Sequence, residues 1–209
     1  AGNTHINLGN GRIFNSCAGS CNADILGHTE TYVGRNSNYD NDLGFPWIRD
    51  HIHGGNDLGG RILGQKDFSD RVSSDIVGKV YNPKNKQKPD VLTASAYTEY
   101  IQGRVEYIFG GCYGDYNYTD PHYKNYAYTT DSSDKTEENL GTMRSDYHKP
   151  WMDNAFVNFK PTNIERNAVT RIYGAGQGHA YYHASDAERD MMQDRSYILI
   201  DAPQSLTNF

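Results

Sequence analysis

The chain has 209 residues, a formal net charge of -6 and a mean hydropathy of -0.80. This length suits a single domain, and the acidic balance, with Lys and Arg scattered along the chain, argues against nucleic acid as a partner. No apolar segment reaches the roughly 18 residues that a membrane-spanning helix needs, so we expect no membrane span.

The amino-acid composition favours strands and turns over helices. The chain contains 21 Gly and 17 Tyr but only 4 Met. Tyr is enriched in β-strands, whereas Gly supplies the backbone freedom that tight turns need. We therefore predict an all-β fold with one or two short helices.

The N-terminal segment contains the same short pattern twice. Gly-x-Thr-x-x-x-aliphatic-Gly occurs at Gly2–Gly9 and, 25 residues later, at Gly27–Gly34. A strand alternates its side chains between two faces. The residues of the two copies that are expected to share one face are Thr4, Ile6 and Leu8, and Thr29, Thr31 and Val33.

A looser third copy is predicted further along the chain. Thr98–Gly103 matches Thr29–Gly34 in its Thr-Glu start and its Gly end. This alignment places Ile101 on the opposite strand face from the aliphatic residues of the first two copies, so either its register is shifted or the match is a loose one. The residues that follow, Gly103–Val105, match Gly11–Ile13.

A glycine-rich turn also recurs after strand-like segments. Its occurrences are Cys17-Ala18-Gly19, His53-Gly54-Gly55, Phe109-Gly110-Gly111 and Tyr173-Gly174-Ala175. Recurrence of one strand-and-turn unit is the signature of a solenoid, in which equivalent strands of successive coils pair in parallel at about 4.8 Å. We therefore predict a parallel β-helix, or β-solenoid, formed by residues 1–209 as a single domain.

Uneven spacing between the turns predicts irregular insertions at about 79–90 and 113–153. Short helices are predicted near 134–141 and at 185–195, where Asp134 and Ser185 begin N-terminal capping sequences. The second helix is predicted to cap one end of the solenoid. At the other end a repeat begins at once, so we expect further repeats before Ala1 or a second chain that covers the strand edge.

The insertion at 113–153 is rich in aromatic residues. Tyr and Trp rings offer flat amphipathic surfaces that stack on sugar rings, with polar neighbours for the hydroxyl groups. The sequence therefore predicts ligand-binding residues in this segment, namely Tyr116, Tyr118, Tyr123, Tyr126, Tyr128 and Trp151.

Two groups of acidic and histidine residues are candidates for catalysis, because a carbohydrate-active enzyme needs paired carboxylates or a base beside a charge-neutralising group. One group flanks a turn and the other lies in the aromatic insertion: Asp50, His51, His53 and Asp57, and Asp115, Asp120 and His122. His51 and His53 are expected to share a strand face, which would also suit a metal. Since Asp and His are ordinary loop residues, no catalytic residue, metal or cofactor is assigned.

The 3 cysteines, Cys17, Cys21 and Cys112, are too few and odd in number for a disulfide scaffold. They are interpreted as small buried residues at turns, and a bond between Cys17 and Cys21 is left open. A zinc site is not predicted, because no fourth ligand stands at a suitable spacing.

The turn and the strand that follows it together read aromatic-Gly-Gly-x-x-Ala/Gly-Asp-Ile-x-Gly-x-Thr. The matching positions in this chain are Cys17, Ala18, Gly19, Asn22, Ala23, Asp24, Ile25, Gly27, Thr29 and Val33. This unit resembles the repeat of the large, secreted, Gly-rich β-helical surface proteins of Bacteroides-type bacteria, closely over residues 1–34 and in part at the later turns. The resemblance implies a secreted or cell-surface, adhesin-like module that continues into neighbouring repeats, and it carries over no catalytic residues.

We therefore expect a non-enzymatic repeat module that binds a carbohydrate or a surface protein through the Tyr-rich insertion. Two alternatives stay open. A β-helix carbohydrate-active enzyme, either a polysaccharide lyase or a glycosidase, would use the acidic and histidine candidates. A purely structural stalk segment would need no ligand.

Overall fold

A computed structural model describes residues 2–21, 23–35, 45–57, 59–73, 92–113, 151–162, 167–177 and 195–200. Within these residues the chain forms strands and one 3-10 turn at Ser69–Arg71, so the predicted all-β class is confirmed. No helix in this part of the chain has the length and apolar character needed to cross a membrane. The predicted helices near 134–141 and 185–195 lie outside the described residues, apart from Arg195, which begins a strand.

The described strands form two large parallel sheets and two small ones. In chain order they are β1 (Thr4–Leu8), β2 (Gly11–Ile13), β3 (Ser16–Cys17), β4 (Thr29–Val33), β5 (Pro46–His53), β6 (Arg61–Ile62), β7 (Lys66–Asp67), β8 (Thr93–Ala94), β9 (Ala96–Tyr100), β10 (Gly103–Phe109), β11 (Trp151–Met152), β12 (Asn154–Phe159), β13 (Asn167–Tyr173) and β14 (Arg195–Ile200). The first sheet has the order β1-β4-β9-β12-β14, and the second has the order β2-β5-β10-β13, with β3 also paired to β5. The small sheets are the parallel pair β6-β11 and the antiparallel pair β7-β8.

The register of the first sheet confirms the predicted spacing of the N-terminal pattern. Thr4 lies opposite Thr29, and Leu8 lies opposite Val33. The predicted shared face is also confirmed, because Leu8 and Val33 both pack in the core between the two large sheets. Sequence periodicity thus identified both the pairing and the buried face of this pair of strands.

The third copy pairs with a register shifted by two residues from its alignment with Thr29–Gly34, which is one of the two alternatives left open by the position of Ile101. Thr98 lies opposite Thr31 rather than Thr29, and Tyr100 lies opposite Val33. Tyr100 therefore fills the core position, while Ile101 follows the end of the strand. A shift of two residues leaves the alternation of faces unchanged, so alternation alone does not give the size of the shift.

The second sheet confirms the predicted match between Gly11–Ile13 and Gly103–Val105. Arg12 and Arg104 both lie opposite Trp47, on the strand between them. The next residue of each strand is aliphatic and packs in or against the core. Because neighbouring side chains alternate between faces, the Arg and Trp side chains point away from the core.

The glycine-rich turns stack on one another at the end of the second sheet. Gly54 N donates to Phe109 O at 2.9 Å, and Gly110 N donates to Tyr173 O at 2.9 Å. A Cβ atom on Gly54 would lie 2.4 Å from Gly110 O, and one on Gly110 would lie 2.4 Å from Gly174 O. Glycine is therefore required here by the close approach of one backbone to the next.

Threonines of the first sheet are joined to these turns by side-chain hydrogen bonds. The Thr4 hydroxyl donates to the Ala18 carbonyl at 2.8 Å, and the Thr29 hydroxyl donates to the Gly54 carbonyl at 2.5 Å. An unpaired buried hydroxyl is costly. These bonds therefore explain why Thr occupies the same place in both copies of the N-terminal pattern.

Buried side chains lie on both faces of the first sheet. The largest group fills the space between the two large sheets: Leu8, Val33, Ile48, Ile52, Tyr100, Val105, Ile108, Val157 and Phe159. A second group surrounds the small sheet β6-β11, where Ile25 also bridges to Ile62. On the opposite face of the first sheet, Phe68 packs with Tyr32 and Tyr97. The central strands of the first sheet, β4, β9 and β12, are thus covered on both sides, whereas the second sheet exposes charged and aromatic side chains.

Only the two ends of the segment predicted as an insertion at about 113–153 lie within the described residues. Trp151 and Met152 lie opposite Arg61 and Ile62 in the parallel pair β6-β11, so the chain has rejoined the sheets before Asp153. Pairing with a distant strand and burial of Met152 decide this boundary, and neither is visible in local composition. The other predicted insertion, at about 79–90, lies outside the described residues.

Candidate functional site

The predicted ligand-binding tyrosines lie outside the described residues, and so do three of the catalytic candidates. They are Tyr116, Tyr118, Tyr123, Tyr126 and Tyr128, and Asp115, Asp120 and His122. The backbone of Trp151 is described and belongs to β11, where it pairs with Arg61 of β6. The candidate site that the described residues do form is the outer face of the second sheet.

One part of this face is a row of Arg12, Trp47 and Arg104, which we call the arginine row. The three residues lie side by side on β2, β5 and β10. The guanidinium carbon of Arg12 lies 4.8 Å from the centroid of the Trp47 ring, and that of Arg104 lies 5.9 Å from the Trp47 ring and 5.9 Å from the Phe45 ring. These distances fit cation–π contacts, which hold both guanidinium groups against a flat aromatic surface.

A second row on the same face is aromatic and consists of His53, Phe109 and Tyr173. Their ring centroids are 4.5 Å and 4.7 Å apart, with interplanar angles of 5° and 9°. The stack follows from the register, because each residue immediately precedes a glycine-rich turn on adjacent strands. Tyr173 ends the row with 37 % of its surface exposed, whereas His53 and Phe109 are buried, so only the Tyr173 end of this row is open to solvent.

The expected shared face of His51 and His53 is confirmed, since their ring centroids lie 4.6 Å apart. Both side chains are buried, and the Tyr113 ring packs against each of them. Burial, and secondly the neighbouring His51, lower the pKa of His53 to about 3. His53 is therefore uncharged near neutral pH and is enclosed by aromatic rings, which suits a packing role better than that of a catalytic base.

Asp57 lies close to Cys17, whose thiol donates a hydrogen bond to the Asp57 carboxylate. Burial raises the pKa of both groups, and the carboxylate raises that of the thiol further. A protonated thiol is a poor nucleophile and a poor metal ligand. Cys17, Cys21 and Cys112 are all free thiols, so the open question of a bond between Cys17 and Cys21 is answered in the negative.

Within the described ranges, no group of three or more His, Cys, Asp or Glu side chains is arranged to hold a metal ion. Among the described residues, Asp50, His51, His53 and Asp57 therefore do not form a metal centre. Asp50 instead lies beside His51, with 3.1 Å between Asp50 Oδ2 and His51 Nδ1. That contact orients the ring of a buried histidine at the edge of the aromatic row.

A buried acidic site on the first sheet was not predicted from the sequence. Glu30 is buried, and its carboxylate lies 2.8 Å from Lys66 Nζ and 2.8 Å from His28 Nε2, while the Tyr32 hydroxyl donates to it. Burial would raise the pKa of Glu30, but these hydrogen bonds outweigh it and lower the pKa to about 2. Glu30 is therefore ionised and fully partnered, and Phe68 lies over the same face.

Glu99 has a similar environment one strand away. The Tyr97 hydroxyl donates to its carboxylate at 2.8 Å, and Arg35 lies 3.7 Å from it. The two carboxylates are thus neutralised by separate partners under a covering segment, which leaves no free acid for a glycosidase-like mechanism at this place. A sequence signal did exist, because Glu30 and Tyr32, like Tyr97 and Glu99, are two residues apart and share a strand face.

Comparisons of the chain with protein-family models, with curated proteins and with solved structures find no match. No residue role is therefore transferred to this chain from a relative. Its function has to be inferred from its own residues, above all from the outer face of the second sheet.

Proposed function

We propose that the chain is a non-enzymatic, adhesin-like β-solenoid module that is secreted or displayed on a bacterial cell surface and binds glycan. The observation that carries this proposal is the outer face of the second sheet, where the exposed Arg12 and Arg104 flank Trp47 and the aromatic row ends in the exposed Tyr173. Flat aromatic surface flanked by polar donors is what sugar rings bind.

The solenoid part of the proposal is supported by the order of the strands. Each pass of the chain adds one strand to the first sheet and then one to the second, as β1 and β2, β4 and β5, β9 and β10, and β12 and β13. All these pairings are parallel, and the glycine-rich turns between passes stack on one another. Coils that stack on their neighbours would give this order, and the resemblance to Gly-rich surface proteins favours the same architecture.

The absence of an enzymatic role is supported by the state of the described candidates. His53 is buried and uncharged, and Glu30 is buried, ionised and paired with Lys66. Neither group is open to a polysaccharide chain on the surface. Residues of the Tyr-rich insertion, Tyr123 and Tyr126 among them, remain our proposal for a second area of contact with glycan.

The proposal is tested by screening the whole chain on a glycan array. We expect binding to a restricted set of glycans, weakened by Tyr123→Ala combined with Tyr126→Ala and by Trp47→Leu, because each change removes ring surface. A blank array for the unmutated chain rejects glycan binding. Release of shortened sugars from any bound polysaccharide would reject the non-enzymatic part and favour a lyase or a glycosidase.

A further inference from the structure

We infer that the arginine row, Arg12, Trp47 and Arg104, is a binding site for an acidic polysaccharide that carries carboxylate or sulfate groups. This inference rests on the proposed glycan-binding function and adds the chemical class of the ligand. It assigns a site outside the Tyr-rich insertion, on a part of the surface that sequence analysis did not single out.

The geometry of the row suits a linear polymer that runs across the strands. Adjacent parallel strands lie about 4.8 Å apart. Arg12 and Arg104, on strands two apart, therefore project on either side of the Trp47 ring. A sugar lying over the row, against the half-buried Trp47 side chain, would have one guanidinium group on each side.

The charge of the row is not balanced within the described part of the chain. Arg35, Arg61 and Arg71 each lie within 4.0 Å of a carboxylate oxygen, at 3.7, 2.6 and 3.4 Å respectively. Arg12 and Arg104 make no such ion pair with any described residue, and both side chains are exposed. Exposed like charges that repel one another are a natural site for an anion.

The chemistry of the row also selects the type of anion. A guanidinium group binds carboxylate or sulfate oxygens through two parallel hydrogen bonds, and its contact with the Trp47 ring restricts its orientation beforehand. The half-buried indole adds an apolar surface that an isolated inorganic anion would not use. Charge and stacking together match an acidic sugar.

Nucleic acid fits the same face less well. Phosphate-backbone binding depends on a broad positive field, whereas this chain has a net charge of -6. Exposed Glu106 and half-buried Asp50 also lie on β10 and β5, near the row. These carboxylates interrupt the positive field that a phosphate backbone would need, so the row is a local site rather than a continuous basic track.

The test measures binding of the whole chain to polygalacturonate and to dextran sulfate, with uncharged dextran and single-stranded DNA as comparison ligands. We expect binding to one or both acidic polysaccharides that weakens as salt is raised. Arg12→Gln combined with Arg104→Gln should weaken it by roughly tenfold or more, because two charge-assisted contacts are lost. Substituting Lys at both positions should restore only part of the affinity.

Arg61→Gln is the control, because it removes one positive charge from β6, which is not a strand of the second sheet. It should leave polysaccharide binding unchanged, and thermal unfolding should show that each variant is folded. Equal loss of binding in Arg61→Gln and in the variant with both Arg12→Gln and Arg104→Gln would overturn the site. Tighter binding of single-stranded DNA than of either acidic polysaccharide would overturn the ligand class.

The outcome also separates this inference from the broader proposal. If the chain binds neutral glycans on the array but neither acidic polymer, the arginine row is not an acidic-sugar site and the glycan-binding function still stands. If the chain binds no glycan of either kind, both fail together.

Discussion

At the scale of single residues, His53 shows how burial changes the use of a side chain. Its ring is fully buried, stacks on Phe109 and contacts Tyr113. Protonation would place a charge inside this aromatic group, which is why the pKa falls to about 3 from an ordinary value of 6.5. A histidine that looks catalytic in the sequence thus serves as one ring of a stack.

This environment predicts a specific pH dependence of stability. Between pH 6.5 and about 3 the unfolded chain binds a proton at His53 that the folded chain does not, so the free energy of unfolding falls as pH is lowered through that range. His53→Phe should remove this contribution, on the order of a few kcal/mol in full. A Phe ring suits the position because Phe109 and Tyr173 continue the row.

The measurement is urea unfolding of the unmutated chain and of His53→Phe at pH 7 and pH 4. Phe14→Ala is the control, because Phe14 is exposed and carries no titratable group, so the slope should be as in the unmutated chain. Glu30 contributes a separate loss of stability as pH falls from 4.5 towards about 2, in every variant alike. If the unmutated chain and His53→Phe lose the same free energy of unfolding between pH 7 and pH 4, the buried, uncharged state of His53 is contradicted.

At the scale of elements, the glycine-rich turns control how closely successive strands approach. Gly54 lies against the backbone of Gly110, and Gly110 lies against Gly174. Gly54 N donates to Phe109 O, and Gly110 N donates to Tyr173 O. Each acceptor is the residue just before the next glycine-rich turn, so these bonds continue the ladder of the second sheet. A side chain at these positions would force the strands apart where the ladder needs them in contact.

Gly54→Ala tests this constraint. Its Cβ would lie 2.4 Å from Gly110 O, a backbone atom that moves only with its strand. We expect a loss of about 1–3 kcal/mol in the free energy of unfolding, the usual cost of overpacking. Gly2→Ala is the matched control, since no atom lies within 4 Å of the Cβ it would add. Denaturation curves that coincide for the two variants would show that the turns tolerate a side chain.

At the scale of the whole molecule, the outer faces of the two large sheets differ. The first is covered by a segment that contains Phe68 and Lys66, which contacts buried Tyr97 and Glu30. The second carries the exposed arginine row and ends in exposed Tyr173. A ligand therefore has access to the second face, while the first stabilises the fold.

Phe68→Ala tests the structural role of the covered face. The Phe68 ring is fully buried and stacks on Tyr97 with 4.2 Å between centroids, so its loss should cost about 3–5 kcal/mol of stability. Phe14→Ala is the control, because Phe14 is 63 % exposed and its loss should change stability by about 0.5 kcal/mol or less. The comparison uses chemical denaturation, and a small effect of Phe68→Ala would mean that the covering segment is not part of the stable core.

The fold was largely accessible from the sequence where the signal is local and repeated. The two N-terminal copies pair as predicted, and Arg12 and Arg104 occupy equivalent positions across Trp47. The candidate site was less accessible. His51 and His53 were singled out correctly as neighbours, yet their burial by Tyr113 depends on a residue that lies far along the chain.

The sequence by itself determined the strand class, the buried face of each repeated strand and the need for glycine at the turns, because these depend on the period of side chains along one strand. Only the tertiary structure decided the register of Thr98, the partners of Glu30 and the exposure of the arginine row. Those depend on contacts between residues far apart in the chain. The alternation of a strand is the same after a shift of two residues, and only packing selects between such alternatives.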